Sequence, residues 1–384
     1  MSETTIQLLW QDRRVHPEFR AGVSLHSHTM YSEESLQMVP RYTGKVPLLA
    51  DAVRGASHQF KKRKREELDF SRAFWTPPLP PRQAYRLEQK QIQNTLQLPA
   101  LVSLTDHDNI HAGAQLRVLS DFREAPVSTE WTVPFGPTFF HVGLHNLPVA
   151  SASCIMAELQ AFTARPNENA LPSILARLNE IQDLLIVLNH PLWDEKGIGV
   201  PEHSQVLGRL LERHGCSFHA LEVNGLRSSK ENQRVIWVGR QVDLPVVAGG
   251  DRHGLEPNSI LNLSPSADLR EFIHEVRYRR RSHVVFMPQY HEPLKMRVLQ
   301  TMVDIMREYP ENLEGRRLWS DRVYYRASEG AEPMPLSHFW PAGNPLLVEV
   351  FVRAMRVAEF RGVRSALRLA LNERRFWSDQ EAAV

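Results

Sequence analysis

The chain has 384 residues, room for one large barrel-type domain or about two to three smaller ones. Lys plus Arg number 46 against 44 Asp plus Glu, a net charge of +2, which excludes a globally basic nucleic-acid binder; 42% hydrophobic and 23% charged residues exclude disorder and coiled coil as the organising state. Two cysteines, Cys154 and Cys216, are too few for a disulfide framework or a thiolate metal site, whereas 17 histidines offer abundant imidazole. The scarce cysteines fit a reducing, cytoplasmic setting. The opening Met-Ser-Glu-Thr-Thr-Ile-Gln has neither the basic start nor the apolar stretch of a signal peptide, and no run reaches membrane-spanning length, so no membrane association is expected.

In chain order, residues 1–19 read as an N-terminal extension. Short apolar, β-branched runs then recur at Gly22 to Leu25, Leu101 to Thr105, Val127 to Trp131, Phe139 to Leu144, Leu184 to Leu188, Phe218 to Val223, Leu244 to Ala248 and His283 to Met287. Each is strand-sized. Helical spacing of apolar residues marks Ile110 to Phe122, Ser151 to Ala164, Ser173 to Asp183, Ser204 to His214, Lys230 to Val242 and Asp268 to Arg280. Strands alternating with helices predict parallel pairing and an α/β fold over about 20–290. Two stretches break the rhythm. Residues from about 35 to 98 read as a helical insertion, with a basic block Lys61 to Arg65, a Pro-rich piece from Trp75 to Pro81 and a helix over Ala84 to Leu96. Residues 291–384 read as a mostly helical C-terminal appendage, because the strand signal stops after Pro288.

Several of the strand-sized runs end in His, Asp or Glu. His26 and His28 are two apart, so a continuing strand would aim both imidazoles one way. Asp251 and His253 repeat that spacing near the other end of the region, with Arg252 between them pointing away. Asp106-His107-Asp108, Glu130, His141 and His190 follow or end further strands. In parallel barrels the C-terminal strand ends converge on one rim. A nitrogen and oxygen donor set without thiolate suits Zn, Mn or Fe, and the surplus of ligands points to two or three ions bridged by a carboxylate such as Glu130. Asp106 or Asp108 is expected to cap the helix starting near Asn109, and His145 to be a surface residue or one supporting the ligands. Arg227 could clamp a phosphate through its planar fork.

The ordered set His26-Ser27-His28-Thr29, Ser32-Glu33-Glu34, Thr105-Asp106-His107-Asp108, Glu130, His141-Val142-Gly143, His190-Pro191 and Gly249-Gly250-Asp251-Arg252-His253 resembles the PHP (polymerase and histidinol phosphatase) superfamily of metal-dependent phosphoesterases. The resemblance covers roughly Ala21 to Pro288. It implies a distorted (β/α)7 TIM-like barrel and hydrolysis of a phosphomonoester or phosphodiester, nucleotides and short oligonucleotides included, by a metal-activated water at a two- or three-metal centre. Carried over, His26, His28, Glu130 and Asp251 would hold one divalent transition metal ion. His107, His141 and His190 would serve a second, and Glu33 with His253 would serve a third or finish the shell. Glu130, Asp251 and His253 would be catalytic, and Arg227 and Arg252 would bind substrate. Glu33 stands where the family usually has Asp, and Arg252 where it usually has a small residue. No obligate protein partner is evident. The competing expectation is a non-catalytic module in which metal only holds the fold and the C-terminal helices make protein contacts. The insertion, with Phe70, Phe74, Trp75 and Tyr85, is expected to govern substrate choice.

Overall fold

The structure is a computed structural model that describes every residue except 38, 40–46, 66, 329, 341–342, 345, 358–359 and 371–384. The described strands, in chain order, are β1 (Glu3–Leu8), β2 (Ala21–Ser24), β3 (Glu34–Ser35), β4 (Ala73–Trp75), β5 (Ala100–Val102), β6 (Val127–Phe135), β7 (Thr138–Leu147), β8 (Leu185–Asn189), β9 (Ala220–Asn224), β10 (Val246–Gly249), β11 (Ile260–Ser264), β12 (Arg281–Phe286), β13 (Val323–Tyr325) and β14 (Met334–Pro335). They form a mixed α/β structure with two five-stranded sheets, β1-β12-β11-β2-β5 and β10-β9-β8-β7-β6, and a four-stranded sheet β14-β13-β4-β3. The expected helices are present as His111–Val118, Ala152–Ala164, Leu171–Asn179, Val200–His214, Ser229–Gln241 and Leu269–Arg277.

The expectation of parallel pairing holds only in part. β2 with β5, β8 with β9 and β9 with β10 are parallel, but β6, β7 and β8 pair antiparallel, and so does β11 with both of its neighbours. The reason for the first reversal is local. Gly136, at a φ of 59°, turns the chain straight from β6 into β7, and a hairpin without a crossover helix is antiparallel. β1 and β11 were not expected as strands.

β8, β9 and β10 are buried along their whole length, which is why their sequences read as continuous apolar runs. Alternate residues divide between two cores. Val23, Leu185, Val187, Ala220 and Val247 pack together with Phe272 and Val276 of the helix Leu269–Arg277. The intervening Ile186, Leu188, Leu221, Val223, Val246 and Ala248 pack outward in the larger core. The two five-stranded sheets meet at two seams. Asp108 N donates to Glu130 O (2.9 Å) and Glu130 N to Asp106 O (3.1 Å); at the other seam Asp251 N donates to His26 O (2.7 Å) and His28 N to Arg252 O (2.9 Å). Both seams consist of residues singled out for chemistry.

The insertion and the C-terminal region share one small sheet. β4 pairs with β3 on one side and with β13 on the other. Phe60 of the helix Pro47–Lys64 packs with Tyr325, Phe339 and Phe351, so the C-terminal region contributes strands as well as helices. The basic block closes the helix Pro47–Lys64, where Lys61 pairs with the exposed Glu67 (2.7 Å). Trp75 lines the cleft described below, Phe74 lines a neighbouring one, and Tyr85 packs away from both against Phe122. Among the described residues no helix is long and apolar enough to cross a membrane.

Candidate metal centre

Glu130 organises the site. On β6 it is fully buried, while its neighbour Trp131 faces the outer core. Its Oε2 lies 3.0 Å from His26 Nε2, 3.4 Å from His28 Nε2 and 3.3 Å from His107 Nδ1. Its Oε1 lies 3.2 Å from His190 Nε2 and 3.5 Å from His141 Nδ1. Asp251 Oδ1 completes the first side, 3.6 Å from His26 Nε2 and 3.4 Å from His28 Nε2. The two imidazole nitrogens of His26 and His28 stand 3.1 Å apart.

Strand alternation is not what brings these two together, because β2 ends at Ser24 and His26 has a φ of 62°. Asp108, His190 and Asp251 share such positive φ values, 50°, 26° and 56°. Non-glycine residues in this region cost about 1–3 kcal/mol each and persist where the surroundings over-determine them, commonly at functional sites. The seam bonds of Asp251 and Asp108 supply that constraint.

The third group of donors corrects the assignment of Glu33. Glu34 Oε2 lies 3.2 Å from His107 Nε2 and 3.1 Å from His253 Nε2, and Ser32 Oγ donates to Glu34 Oε1 (2.6 Å). Glu33 turns away from these imidazoles to the wall of the cleft, where it binds Arg326 through both oxygens (2.7 and 2.9 Å). Successive residues of an extended segment point to opposite sides, so one of two adjacent glutamates turns in and the other out. Pairing of Glu34 with Trp75 of β4 fixes which. We expect Glu34→Gln to lower the bound metal by about one equivalent and Glu33→Gln to leave it unchanged, measured by metal analysis of the purified variants. Equal metal content in both would return Glu34 to a purely structural part.

Arg252 is the second correction. It is buried, and its guanidinium pairs with Glu88 (3.0 Å) while donating to the main-chain oxygens of Gly254 and His28 (both 2.8 Å), so its charge is matched inside the protein and its position is fixed by structural partners. Arg227, in contrast, lines the cleft, with its guanidinium 4.1 Å from the Trp193 ring centroid. Neither Asp106 nor Asp108 caps a helix. Asp106 accepts from Thr29 N and Oγ1 (2.5 and 2.7 Å), and Asp108 from Thr132 N (2.8 Å). Asn109 Oδ1 accepts from His111 N at the helix start instead (3.1 Å). His145 is buried rather than superficial, beside Ser103 Oγ (2.8 Å), and burial holds its pKa down at about 3.

Glu222 escaped the sequence reading. It shares the inward face of β9 with Ala220, directly beneath the cluster. Its Oε2 lies 2.7 Å from His26 Nδ1, and its Oε1 accepts from Asn224 Nδ2 (2.7 Å) and His190 N (3.3 Å). A carboxylate behind a ligating imidazole fixes the ring and raises its basicity. Gly249 makes room for it, since a Cβ there would fall 1.9 Å from Glu222 Oε2. The available signal was a Glu inside an otherwise apolar strand run. Glu195, on the loop after His190, is a further carboxylate at the cleft, 3.8 Å from His141 Nδ1.

Electrostatics follow from this crowding. Burial opposes charge on His26, but Glu130, Glu222 and Asp251 outweigh it and hold its pKa well above the ordinary value; Glu34 and Glu130 do the same for His107. Burial with the neighbouring His253 holds His28 down at about 4. Burial would raise Glu130, yet the facing His26, His107 and His141 keep its carboxyl well below the usual range. Such a set fits divalent metal ions: Glu130 Oε2 is a buried oxygen without a hydrogen-bond partner, and imidazole nitrogens crowd around it. His26, His28 and Glu130 form one candidate metal-holding group, His107, Glu130 and His141 another, and His28, Glu34, His107 and His253 a third.

No family model and no curated protein matches the chain. Among solved structures it is similar to a candidate metal-dependent phosphoesterase from Bifidobacterium adolescentis, at 14% identity and a TM-score of 0.33, covering 47% of this chain and 85% of that one. PsfC from Pseudomonas syringae gives 15% identity and a TM-score of 0.37, covering 74% and 97%. An amidohydrolase from Chromobacterium violaceum, with bound sulfate and no metal, gives 14% identity and a TM-score of 0.32, covering 46% and 83%. Likenesses this distant decide nothing about the chemistry. The donor set does: the fold and site define a mixed α/β protein with a buried histidine and carboxylate cluster suited to divalent metal ions.

Proposed function

We propose that the chain is a metal-dependent hydrolase of phosphate esters with the ligand plan of the PHP superfamily. The carrying observation is the position of the Glu130 carboxylate, with His26 and His28 against one oxygen and His141 and His190 against the other. The two seams and the shared interior core support reading β2 and β5 to β10 as one distorted seven-stranded barrel, entered by the insertion and followed by the C-terminal region. His26, His28, Glu130 and Asp251 would hold one ion, Glu130, His141 and His190 a second, and Glu34, His107 and His253 a third; Zn, Mn and Fe suit these donors. Bound there, divalent ions would polarise the phosphoryl oxygens and lower the pKa of a water towards neutrality.

The chain's own residues do the rest. The cleft over the cluster, about 620 Å3, places Arg227 and Lys196 on its wall, cations suited to non-bridging phosphate oxygens. Trp193 holds the Arg227 fork by stacking under it, so less freedom is lost when phosphate binds. Trp75 and Phe139 give the cleft apolar surface for the esterified group. Burial would raise Asp251, yet the facing His26 and His28 keep its carboxyl well below the usual range and ionised, so His253, also at the cleft, is the nearest side chain able to hand a proton to the leaving oxygen in the state where it holds no ion.

The test is turnover of p-nitrophenyl phosphate and bis-p-nitrophenyl phosphate with Mn2+ or Zn2+, together with metal analysis. We expect metal-dependent release of nitrophenol, and loss of most bound metal and turnover in the His26→Ala, His28→Ala double variant. A folded, metal-loaded wild type that turns over neither these esters nor a panel of nucleotides and sugar phosphates would leave a structural, metal-stabilised module as the better reading.

A further inference from the structure

A second cleft, about 490 Å3, opens beside the metal cleft, and Glu33, His107 and Asp108 line both. None of its other walls takes part in the donor cluster. They come from the segment after His28, from β4, from the helices His111–Val118 and Ala152–Ala164 through His111 and Gln160, and from the C-terminal region through Arg316 and Tyr324. The insertion and the C-terminal region thus help to build, on the metal-bearing rim, a space that the cluster itself does not need.

Two features of that space point to a ligand. Arg316 is half-buried and is the one Lys or Arg among the described residues of the lining. It is fixed by donating to Met30 O (2.8 Å) and Thr76 Oγ1 (3.3 Å), and no carboxylate lies within 4.0 Å of it among the described residues. The acids nearby are already engaged, Glu33 with Arg326 and Asp108 with Thr132 N. A half-buried guanidinium held in place through one of its nitrogens and facing no carboxylate can turn its remaining N–H groups to an anion. The second feature is aromatic. Tyr324 stacks on Phe74 with ring centroids 5.1 Å apart and planes 14° apart, while Tyr31 meets His111 edge to face. Both tyrosines remain half-buried, leaving ring surface on which a planar group can stack.

We propose that this second cleft receives one arm of the substrate, an aromatic group carrying a further phosphate whose charge meets Arg316. The preferred ester is then a phosphodiester of the dinucleotide type with a terminal phosphate, its scissile phosphate at the cluster beside His107. This rests on the phosphoesterase reading above and narrows it, because a small phosphomonoester needs the first cleft alone.

The experiment compares a diadenylate with and without a terminal phosphate, and bis-p-nitrophenyl phosphate, on the full chain as wild type, Arg316→Met and Arg316→Lys. Turnover is followed with Mn2+, and equilibrium binding of both dinucleotides is measured by calorimetry on metal-free protein, where no turnover intervenes. The wild type is expected to favour the terminally phosphorylated dinucleotide by at least about tenfold. Arg316→Met should erase that preference, losing about one to two decades in affinity for that ligand, with bis-p-nitrophenyl phosphate turned over at the wild-type rate. Arg316→Lys should keep part of the preference; if Lys and Met behave alike, the arginine only clips Met30 to Thr76 and the anion site is wrong. Equal wild-type binding of the two dinucleotides also overturns the proposal. Preferential binding without hydrolysis of any ester would instead remove the phosphoesterase reading and leave the cleft standing.

Discussion

Glu130→Gln is expected to give a folded protein with little bound metal and turnover down by more than about a hundredfold. Residues that merely support a metal ligand typically cost about 10–100-fold in affinity or activity when changed, and a carboxylate facing donors on both sides should cost at least that. The amide has nearly the same shape, so the outer core around Trp131 and the hairpin from β6 into β7 keep their packing. What disappears is the negative charge between His26 and His107 on one oxygen and His190 on the other. Metal binding must displace the protons that this charge holds on His26 and His107, so wild-type metal affinity should climb as pH rises through their elevated pKa values. In the variant that climb should move to lower pH, because the carboxylate that raised those values is gone. Circular dichroism, metal analysis across pH and turnover of a chromogenic ester check each part. Wild-type turnover in a well-folded variant would show that another carboxylate bridges.

Most of the donor cluster was legible because its members sit within or just after apolar strand runs, where a local pattern and a position in the fold coincide. His26, His28, His107, Glu130, His141, His190, Asp251 and His253 do converge, although His26 and Asp251 reach their places through left-handed backbone rather than continued strand geometry. Glu33 and Glu34 could not be told apart locally. The choice between them is made by the pairing of Glu34 with Trp75, across an insertion whose own course no period in the sequence reveals. Strands escaped for a different reason. β1, Glu-Thr-Thr-Ile-Gln-Leu, is an edge strand half exposed along most of its length, so it lacks the apolar run used to find the others. β11 carries Asn262 at its centre, a residue type uncommon in strands, whose side chain accepts from Ala248 N (2.7 Å) and donates to Ala248 O (2.9 Å) of β10 in the other sheet. Glu222 was hidden by the same logic reversed, since a strand residue is assumed to pack unless a partner for its charge is known. The partner, His26, lies just past a strand far away in sequence.

Arg252→Met is the variant for which sequence and structure predict opposite outcomes. Read as a substrate ligand, Arg252 should lose about one to two decades in kcat/KM with stability intact. Its surroundings say otherwise. Arg252 is 3% exposed and its guanidinium reaches three partners, Glu88, Gly254 O and His28 O, while Glu88 is itself fully buried and accepts from Ser24 Oγ (3.1 Å) and Asn258 N (3.1 Å). Burial already pushes the Glu88 pKa up against the restraining charge of Arg252. Removing one partner of a buried pair leaves the other charge without compensation, at a cost of about 3–5 kcal/mol. The same change frees the main-chain oxygen of His28 and loosens the turn through Gly254, so metal affinity should fall along with the thermal midpoint. Replacing Glu88 by Gln in the same chain should recover part of the stability, because the uncompensated carboxylate is then gone, but not the metal affinity, because the clamp on His28 stays absent. Thermal unfolding and metal titration of the two single variants and the double variant separate these terms. Unchanged stability in Arg252→Met with a raised KM would put the arginine back in the substrate's path and break the link between the cluster and the helix Pro81–Gln91, which carries Glu88.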